Sequence, residues 1–477
     1  MKYYIKQFLF LLFNLLFITT FSQWNNSNSI NGNSTVTFNA SKVLPNNTIF
    51  LIGDDGLTLF NRSGVIYKST DNGVSFTKTN TLPKAYQLSS ANFIDNNNGF
   101  VFGQTQSFKG FIARTTDGGV SWISDSINET EQLKSNSFIN SQIGYVADFT
   151  LGNLKLYKTI NGGNRWSMIC DKYYQSGAVN DLQFLTENLG FICTQTKTSS
   201  FRYAKVMRTT DGGNNWTTLK YSLDEDYTSI HFFDYYNGFV LTFSGKIYKT
   251  TNAGTTWTLV RNSTDIQNCN ELKFINPIVG YVISADSILR TTDAGNTWTN
   301  IHNISTLSLF GYNTLDVNSN GIGIAAGGVG SFYSYTNNFG GTSSNNTISS
   351  AYISGYDSTC TGQNGTIRFD FTGTPPWSIS YSNGTTTLSE TNITSTPFFI
   401  PVPTTATRQV YTINSFSSNG INSVNYYGKA ILSVLNSQAV SATISGTKAI
   451  CISDSTKLSV QLKGNKPFTF TYSDGIG

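Results

Sequence analysis

Six acidic or amide side chains recur with nearly the same neighbours: Asp71, Asp117, Asn161, Asp211, Asn252 and Asp293. Each is followed two residues later by a glycine and five residues later by an aromatic ring, Phe76, Trp122, Trp166, Trp216, Trp257 or Trp298. Such side chains could ligate calcium or move a proton, or they could accept hydrogen bonds from the backbone N–H groups just ahead and so cap a turn. The glycines Gly73, Gly119, Gly163, Gly213, Gly254 and Gly295 can take positive φ, which the turn requires. The types therefore favour a structural use. The remaining inventory is thin. The five cysteines, Cys170, Cys193, Cys269, Cys360 and Cys451, show no C-x-x-C spacing, and the two histidines are His231 and His302. No zinc, haem or other cofactor is expected from them. A Cys170–Cys193 bridge stays open, although the odd count favours small buried thiols. His231 stands in the apolar run Ile230-His231-Phe232-Phe233 and reads as a core histidine rather than a member of a Ser/His/Asp triad.

The elements that must position these residues are hairpins. In each copy, an alternating stretch such as Tyr248-Lys249-Thr250-Thr251 runs into the turn, and a stretch ending in the aromatic runs out. Successive copies are separated by 46, 44, 50, 41 and 41 residues, which suits one four-stranded sheet each. Upstream of most copies is a second phrase, Gly99-Phe100, Gly144-Tyr145, Gly190-Phe191, Gly238-Phe239 and Gly280-Tyr281, opening a short apolar run. A worn seventh copy ends at Asn337 without a tryptophan. Trp24 lies 14 residues before Phe38, much as Trp122 lies 16 before Phe138. The segment Gln23 to Ser27 is therefore expected to complete the last sheet and leave no open edge.

The pattern S/T-x-D-x-G-x-x-W resembles the Asp-box of the BNR repeat. Together with the Gly-aromatic phrase it is similar to the seven-bladed propellers of the photosystem II assembly factor family, with sortilins and xyloglucan-hydrolysing endoglucanases as more distant relatives. The resemblance covers residues 23 to 341 and implies a fold more than an activity. It also implies that the box turns lie at the lower edge, away from a ligand-binding face. That face would be formed by the connections leaving each Trp-bearing strand. The most chemically loaded are Lys172-Tyr173-Tyr174 and Tyr221-Ser222-Leu223-Asp224-Glu225-Asp226-Tyr227, with Phe201-Arg202-Tyr203 beside them. Exposed tyrosines next to carboxylates could stack on a sugar or anchor a protein.

Enzymes on related propellers set a test that this sequence meets poorly. Sialidases that carry Asp-boxes need an arginine cluster near the axis, whereas Arg114, Arg208 and Arg290 are box residues here. Xyloglucan hydrolases need two opposed carboxylates between propellers, and this chain has one propeller and six Glu.

In chain order, Lys2, Lys6 and the apolar run Phe8 to Phe21 read as a signal peptide over residues 1–22, too short to span a membrane comfortably. Charged residues are 12% of the chain, and the formal charge of +4 falls to +2 without the two leader lysines. No field for nucleic acid results. Residues 342–350 read as a linker. From Ile353 to Gly384 the sequence matches Ile444 to Gly475 at a constant offset of 91, and alternating stretches such as Thr366 to Phe371 fit a β-sandwich. These modules resemble the Ig-like or PKD-like domains of secreted and adhesive proteins of the Bacteroidetes, which implies type IX secretion.

The expectation is an all-β chain: a seven-bladed β-propeller over 23–341, an Ig-like sandwich over 351–440, and the truncated start of a second over 441–477. The function expected is exported, non-enzymatic binding or adhesion toward a protein or glycan at the cell surface. A carbohydrate-active enzyme is the alternative, and oligomeric state is left open.

Overall fold

The computed structural model describes residues 24–27, 30, 35–56, 62–82, 84–127, 130–148, 152–176, 178–197, 202–262, 266, 268–303, 311–318, 321–328, 332–336, 349–359, 363–404, 408–434, 441–445 and 459–463. The expected signal peptide, most of the expected linker, Asn337, Cys360 and Cys451 lie outside them. The chain divides into two compact units, residues 1–348 and 349–477.

In the first unit, six sheets are antiparallel meanders of four consecutive strands. They open on Val36–Val43, Ala85–Phe93, Leu133–Phe138, Ala178–Phe184, Tyr227–Phe232 and Glu271–Phe274. A seventh sheet opens on Thr314–Val317 and continues through Gly323–Gly327 and Phe332–Thr336. Its fourth strand is Asn25–Ser27, with Asn26 opposite Ser334 and Ser27 opposite Tyr333. The start of the described chain thus supplies the strand that the worn last copy lacks.

Each opening strand packs against the opening strand of the next sheet, and Thr314–Val317 returns to Val36–Val43, so the opening strands form a closed ring. Burial follows position. Second strands such as Gly144–Asp148 and Gly238–Thr242 are buried throughout, while fourth strands such as Thr217–Ser222 are largely exposed. This is why the second strands read as continuous apolar runs and the fourth as polar ones.

The Gly-aromatic phrase has a steric origin. Phe93, Phe138, Phe184, Phe232 and Phe274 end the opening strands opposite Gly99, Gly144, Gly190, Gly238 and Gly280, where a Cβ would come within 2.7 Å of the ring. Each phenyl then meets its own sheet's tryptophan edge-on: Trp122, Trp166, Trp216, Trp257 or Trp298, at 5.9 to 6.2 Å. Its other face takes a ring from the preceding sheet: Phe50, Phe100, Tyr145, Phe191 or Phe239, at 3.6 to 4.8 Å. Each such pair contributes about 0.5–1.5 kcal/mol beyond area burial.

In the second unit, a four-stranded and a larger sheet share one apolar core. Ile353, Phe369 and Val402 come from one sheet and Trp377, Tyr381 and Phe416 from the other. A separate hairpin pairs Ser441–Ser445 with Ser459–Lys463.

Candidate functional site

The box turns are self-contained. At Asp117, Oδ1 accepts from the Thr115 hydroxyl at 2.8 Å and from Ser121 N at 2.9 Å, while Oδ2 accepts the Ser121 hydroxyl at 2.5 Å. Gly119 N donates to Thr115 Oγ1 at 2.9 Å. The Ser121 hydroxyl and N–H, followed by the Thr115 hydroxyl, hold the carboxylate well below its ordinary range, at about 2. Asn161 and Asn252 accept the same bonds through Oδ1. A carboxylate occupied in this way is a turn cap.

The basic box residue bridges to the next sheet. Lys68 donates to Gly118 O at 2.9 Å, Lys249 to Ala294 O at 2.8 Å, Arg208 to Ala253 O at 3.1 Å, and Arg114 to Asn164. These cations therefore tie adjacent sheets together.

The sequence-expected binding residues do not form one face of loops. Lys172, Tyr173 and Tyr174 belong to a continuous fourth strand, Ser167–Ser176, and the Lys172 ammonium is spent on Asn214 O and Asn215 Oδ1 of the neighbouring box turn. Tyr173 is 67% exposed. Phe201 lies outside the described residues, and Arg202 opens the strand Arg202–Thr209. Tyr203 and Tyr221 do come together, with ring centroids 6.3 Å apart and the Lys205 ammonium 5.9 Å from each.

The acidic loop needs correction. Asp224 is exposed, but Asp226 is buried and Tyr227 is 0% exposed, because Tyr227 begins an opening strand rather than ending a loop. Glu225 is engaged by the Tyr248 hydroxyl at 2.6 Å and the Lys246 ammonium at 3.0 Å. One signal was available. Tyr227 stands five residues before Phe232, as Leu133 stands before Phe138 and Leu88 before Phe93, and both leucines are buried.

The ring of opening strands carries polar chemistry that sequence reasoning did not assemble. Asn39 Nδ2 reaches Leu88 O at 2.9 Å, Asn136 Nδ2 reaches Ser90 Oγ at 3.0 Å, and the Lys134 ammonium reaches Asn180 Oδ1 at 3.0 Å. Ile230 N donates to Asp181 Oδ2 at 3.0 Å, Leu315 N to Glu271 Oε2 at 2.8 Å, and Val43 N to Asp316 Oδ2 at 2.8 Å. The fifth and sixth sheets meet through the His231 ring, 5.3 Å from Phe274. Lys273 bonds Asp316 at 2.9 Å and retains 29% side-chain exposure, so solvent reaches this belt.

Its charges act on one another across strands. Asp316 raises Lys273 to about 12 against the desolvation of that lysine. Burial pushes Glu271 up to about 7 and, with Lys273, pushes His231 down to about 3, so the imidazole is neutral. Lys42 is lowered, first by the Lys273 ammonium and then by burial.

Cys170, Cys193 and Cys269 are buried. Among the described residues no group of three or more His, Cys, Asp or Glu side chains could hold a metal ion, and no helix is long and apolar enough to cross a membrane.

Repeated box turns, meandering four-stranded sheets and a ring of opening strands define a β-propeller of the BNR type. A family model described as photosynthesis system II assembly factor YCF48 matches residues 171–345. A solved structure of YCF48 bound to D1 peptide is similar with a TM-score of 0.50 and 15% identity, over 66% of this chain and 96% of that one. YCF48 from Cyanidioschyzon merolae is similar at 0.49 and 14% identity, over 66% and 98%. The GH74 enzyme of Niastella koreensis is similar at 0.47 and 14% identity, over 84% and 74%. None of the curated proteins matches the sequence.

Proposed function

We propose that residues 23–341 are a single closed seven-bladed propeller that binds a protein partner without catalysing a reaction. The chain is exported through the segment 1–22 and acts at the cell surface. Residues 351–440 form an Ig-like module, and Ile444 to Gly475 repeats its Ile353 to Gly384 in sequence.

One observation carries the binding reading: the carboxylates on the ring are committed to the fold. Asp181 accepts from Leu182 N, Ile230 N and the Ser229 hydroxyl, and Asp316 accepts from Val43 N and Lys273. A general acid or base must exchange its proton with substrate. Carboxylates that terminate backbone N–H groups of adjacent strands instead hold those strands in register. A protein partner is favoured over a glycan because the similar YCF48 structure is of a complex with a D1 peptide.

The test presents the full chain to a peptide array, a glycan array and a panel of fluorogenic glycosides. Saturable peptide binding without turnover is expected. Glycoside hydrolysis abolished by Glu271→Gln or Asp316→Asn would overturn the proposal, and binding confined to glycans would overturn its choice of partner.

A further inference from the structure

The fourth strand of each sheet turns its outer edge to solvent, and an open edge invites a further strand unless a bulge, a lysine, a proline or sheer shortness guards it. Five sheets carry a bulge where the fourth strand leaves the box turn. The register shifts between Ile66 and Tyr67, Leu156 and Tyr157, Val206 and Met207, Ile247 and Tyr248, and Ile288 and Leu289. Four of those strands also contain a cation, Lys78, Lys172, Lys220 or Arg261, and the seventh sheet ends on a strand of only three residues. Among the described residues the second sheet has none of these guards. Its third and fourth strands pair without a shift from Gly110 opposite Ile127 to Arg114 opposite Ile123, and the fourth strand, Ile123–Ile127, reads Ile-Ser-Asp-Ser-Ile.

This edge is apolar as well as unguarded. Ile123 is 67% exposed, and Val120 in the turn before it is 71% exposed. Ile123, Asp125 and Ile127 share a face, since they stand opposite Arg114, Ile112 and Gly110. On that face Ile112 packs with Tyr157 of the third sheet, and Tyr157 stands opposite Met168, which is 43% exposed. The gap between the outer edges of the second and third sheets is thus flanked by apolar side chains that the chain itself leaves uncovered.

A second copy of this chain is a poor occupant. Ile-Ser-Asp-Ser-Ile reads the same in both directions, so symmetric antiparallel pairing would set Asp125 against its own counterpart, and like charges directly opposite one another destabilise a pair. Registers that avoid this clash give up pairs in a strand of five residues. Asp125 is exposed and is the strand's one charge, and a cation on the added strand complements it. We propose that the outer edge of Ile123–Ile127 binds an extended segment of a partner protein, which adds a fifth strand to the second sheet and sets a lysine or arginine opposite Asp125. Main-chain hydrogen bonds give such a complex its affinity, and the side chains at alternate positions give it its selectivity. The proposal rests on the reading of a protein partner and names the edge that holds it and the charge it brings.

The experiment presents the full chain and its Asp125→Lys variant to one array of random-sequence peptides, with the melting temperature of each as the control for folding. Asp125 is exposed, so the two chains should melt together. The unaltered chain should select peptides with β-branched residues alternating around a lysine or arginine, and the variant should select aspartate or glutamate at that place. The best peptide for the unaltered chain should bind the variant about tenfold more weakly. That peptide is then remade with N-methyl groups on every second residue, in each of the two phases. Only one edge of an added strand meets Ile123–Ile127, so one phase should abolish binding and the other should retain it. The same effect in both phases, or an unchanged choice of peptides by Asp125→Lys, would overturn the proposal and leave the protein partner standing. Peptide binding by neither chain would overturn both.

Discussion

Tyr145 lies flat on Phe184 of the following sheet, with ring centroids 3.6 Å apart and planes 5° apart. Phe184 in turn meets the edge of Trp216 at 6.1 Å. The relationship joins three motif positions on two sheets, and its recurrence makes the repeat an inter-sheet device as well as a hairpin.

The same logic separates two adjacent glycines. Both Gly118 and Gly119 have positive φ, but Ala253 and Ala294 occupy the position equivalent to Gly118 at φ 63° and 56°. A Cβ on Gly119 would stand 2.7 Å from the Phe50 ring. Chemical denaturation should show Gly118→Ala as mild and Gly119→Ala as costing about 3 kcal/mol or more, combining left-handed strain with overpacking. Equal costs would remove the ring from the explanation.

Asp117 has a depressed pKa, about 2 against an ordinary 3.8. Its stabilising contribution is therefore complete above 3.8 and lost as pH falls toward 2. Asp117→Asn, the residue already used at Asn161 and Asn252, should retain the fold and flatten the acid limb of the stability curve. Asp117→Ala should lower the melting temperature at neutral pH. Thermal melts across that window check both.

Glu271 has the opposite sign. Its folded pKa is raised by burial from 4.5 to about 7, so the folded state holds more protons than the unfolded one between those values and stability falls as pH rises through them. Glu271→Gln can still accept from Leu315 N, and it should flatten stability between pH 4.5 and 7. An unchanged slope would assign the dependence elsewhere.

Tyr227 and the Tyr203–Tyr221 pair should behave differently. Tyr227→Ala removes a fully buried ring and should cost about 3–5 kcal/mol. Tyr203→Ser with Tyr221→Ser should leave the melting temperature nearly unchanged, because Tyr221 is 52% exposed. If the double variant also leaves peptide binding unchanged, that pair is not part of the partner's footprint.

The box spacing made the four-stranded sheets legible, since turn chemistry and period are local properties of the sequence. The Gly-aromatic phrase was visible without its reason, because Gly144 makes room for Phe138 across a strand pair and the pair is only seen once the register is known. The binding residues were less legible. Tyr227 beside three acidic residues looks like surface, and only its offset from Phe232 marks it as core. Lys42, Asp181, Glu271, Lys273 and Asp316 are scattered over 275 residues of sequence, counting both ends of 42–316, and nothing local distinguishes a lysine facing the ring from one facing bulk water.

The last sheet of the first unit is completed by the pairing of Asn25–Ser27 with Phe332–Thr336, and Asn26 opposite Ser334 is the middle pair. Directly opposed antiparallel residues have Cα atoms about 4.5–5.5 Å apart, within the span of a disulfide. The direct measurement is mild oxidation of the double variant Asn26→Cys, Ser334→Cys, followed by peptide mapping of the monomer. An intramolecular 26–334 disulfide that raises the melting temperature is the predicted result. Free thiols at both positions in folded protein, or a bond formed only between molecules, would contradict the closure.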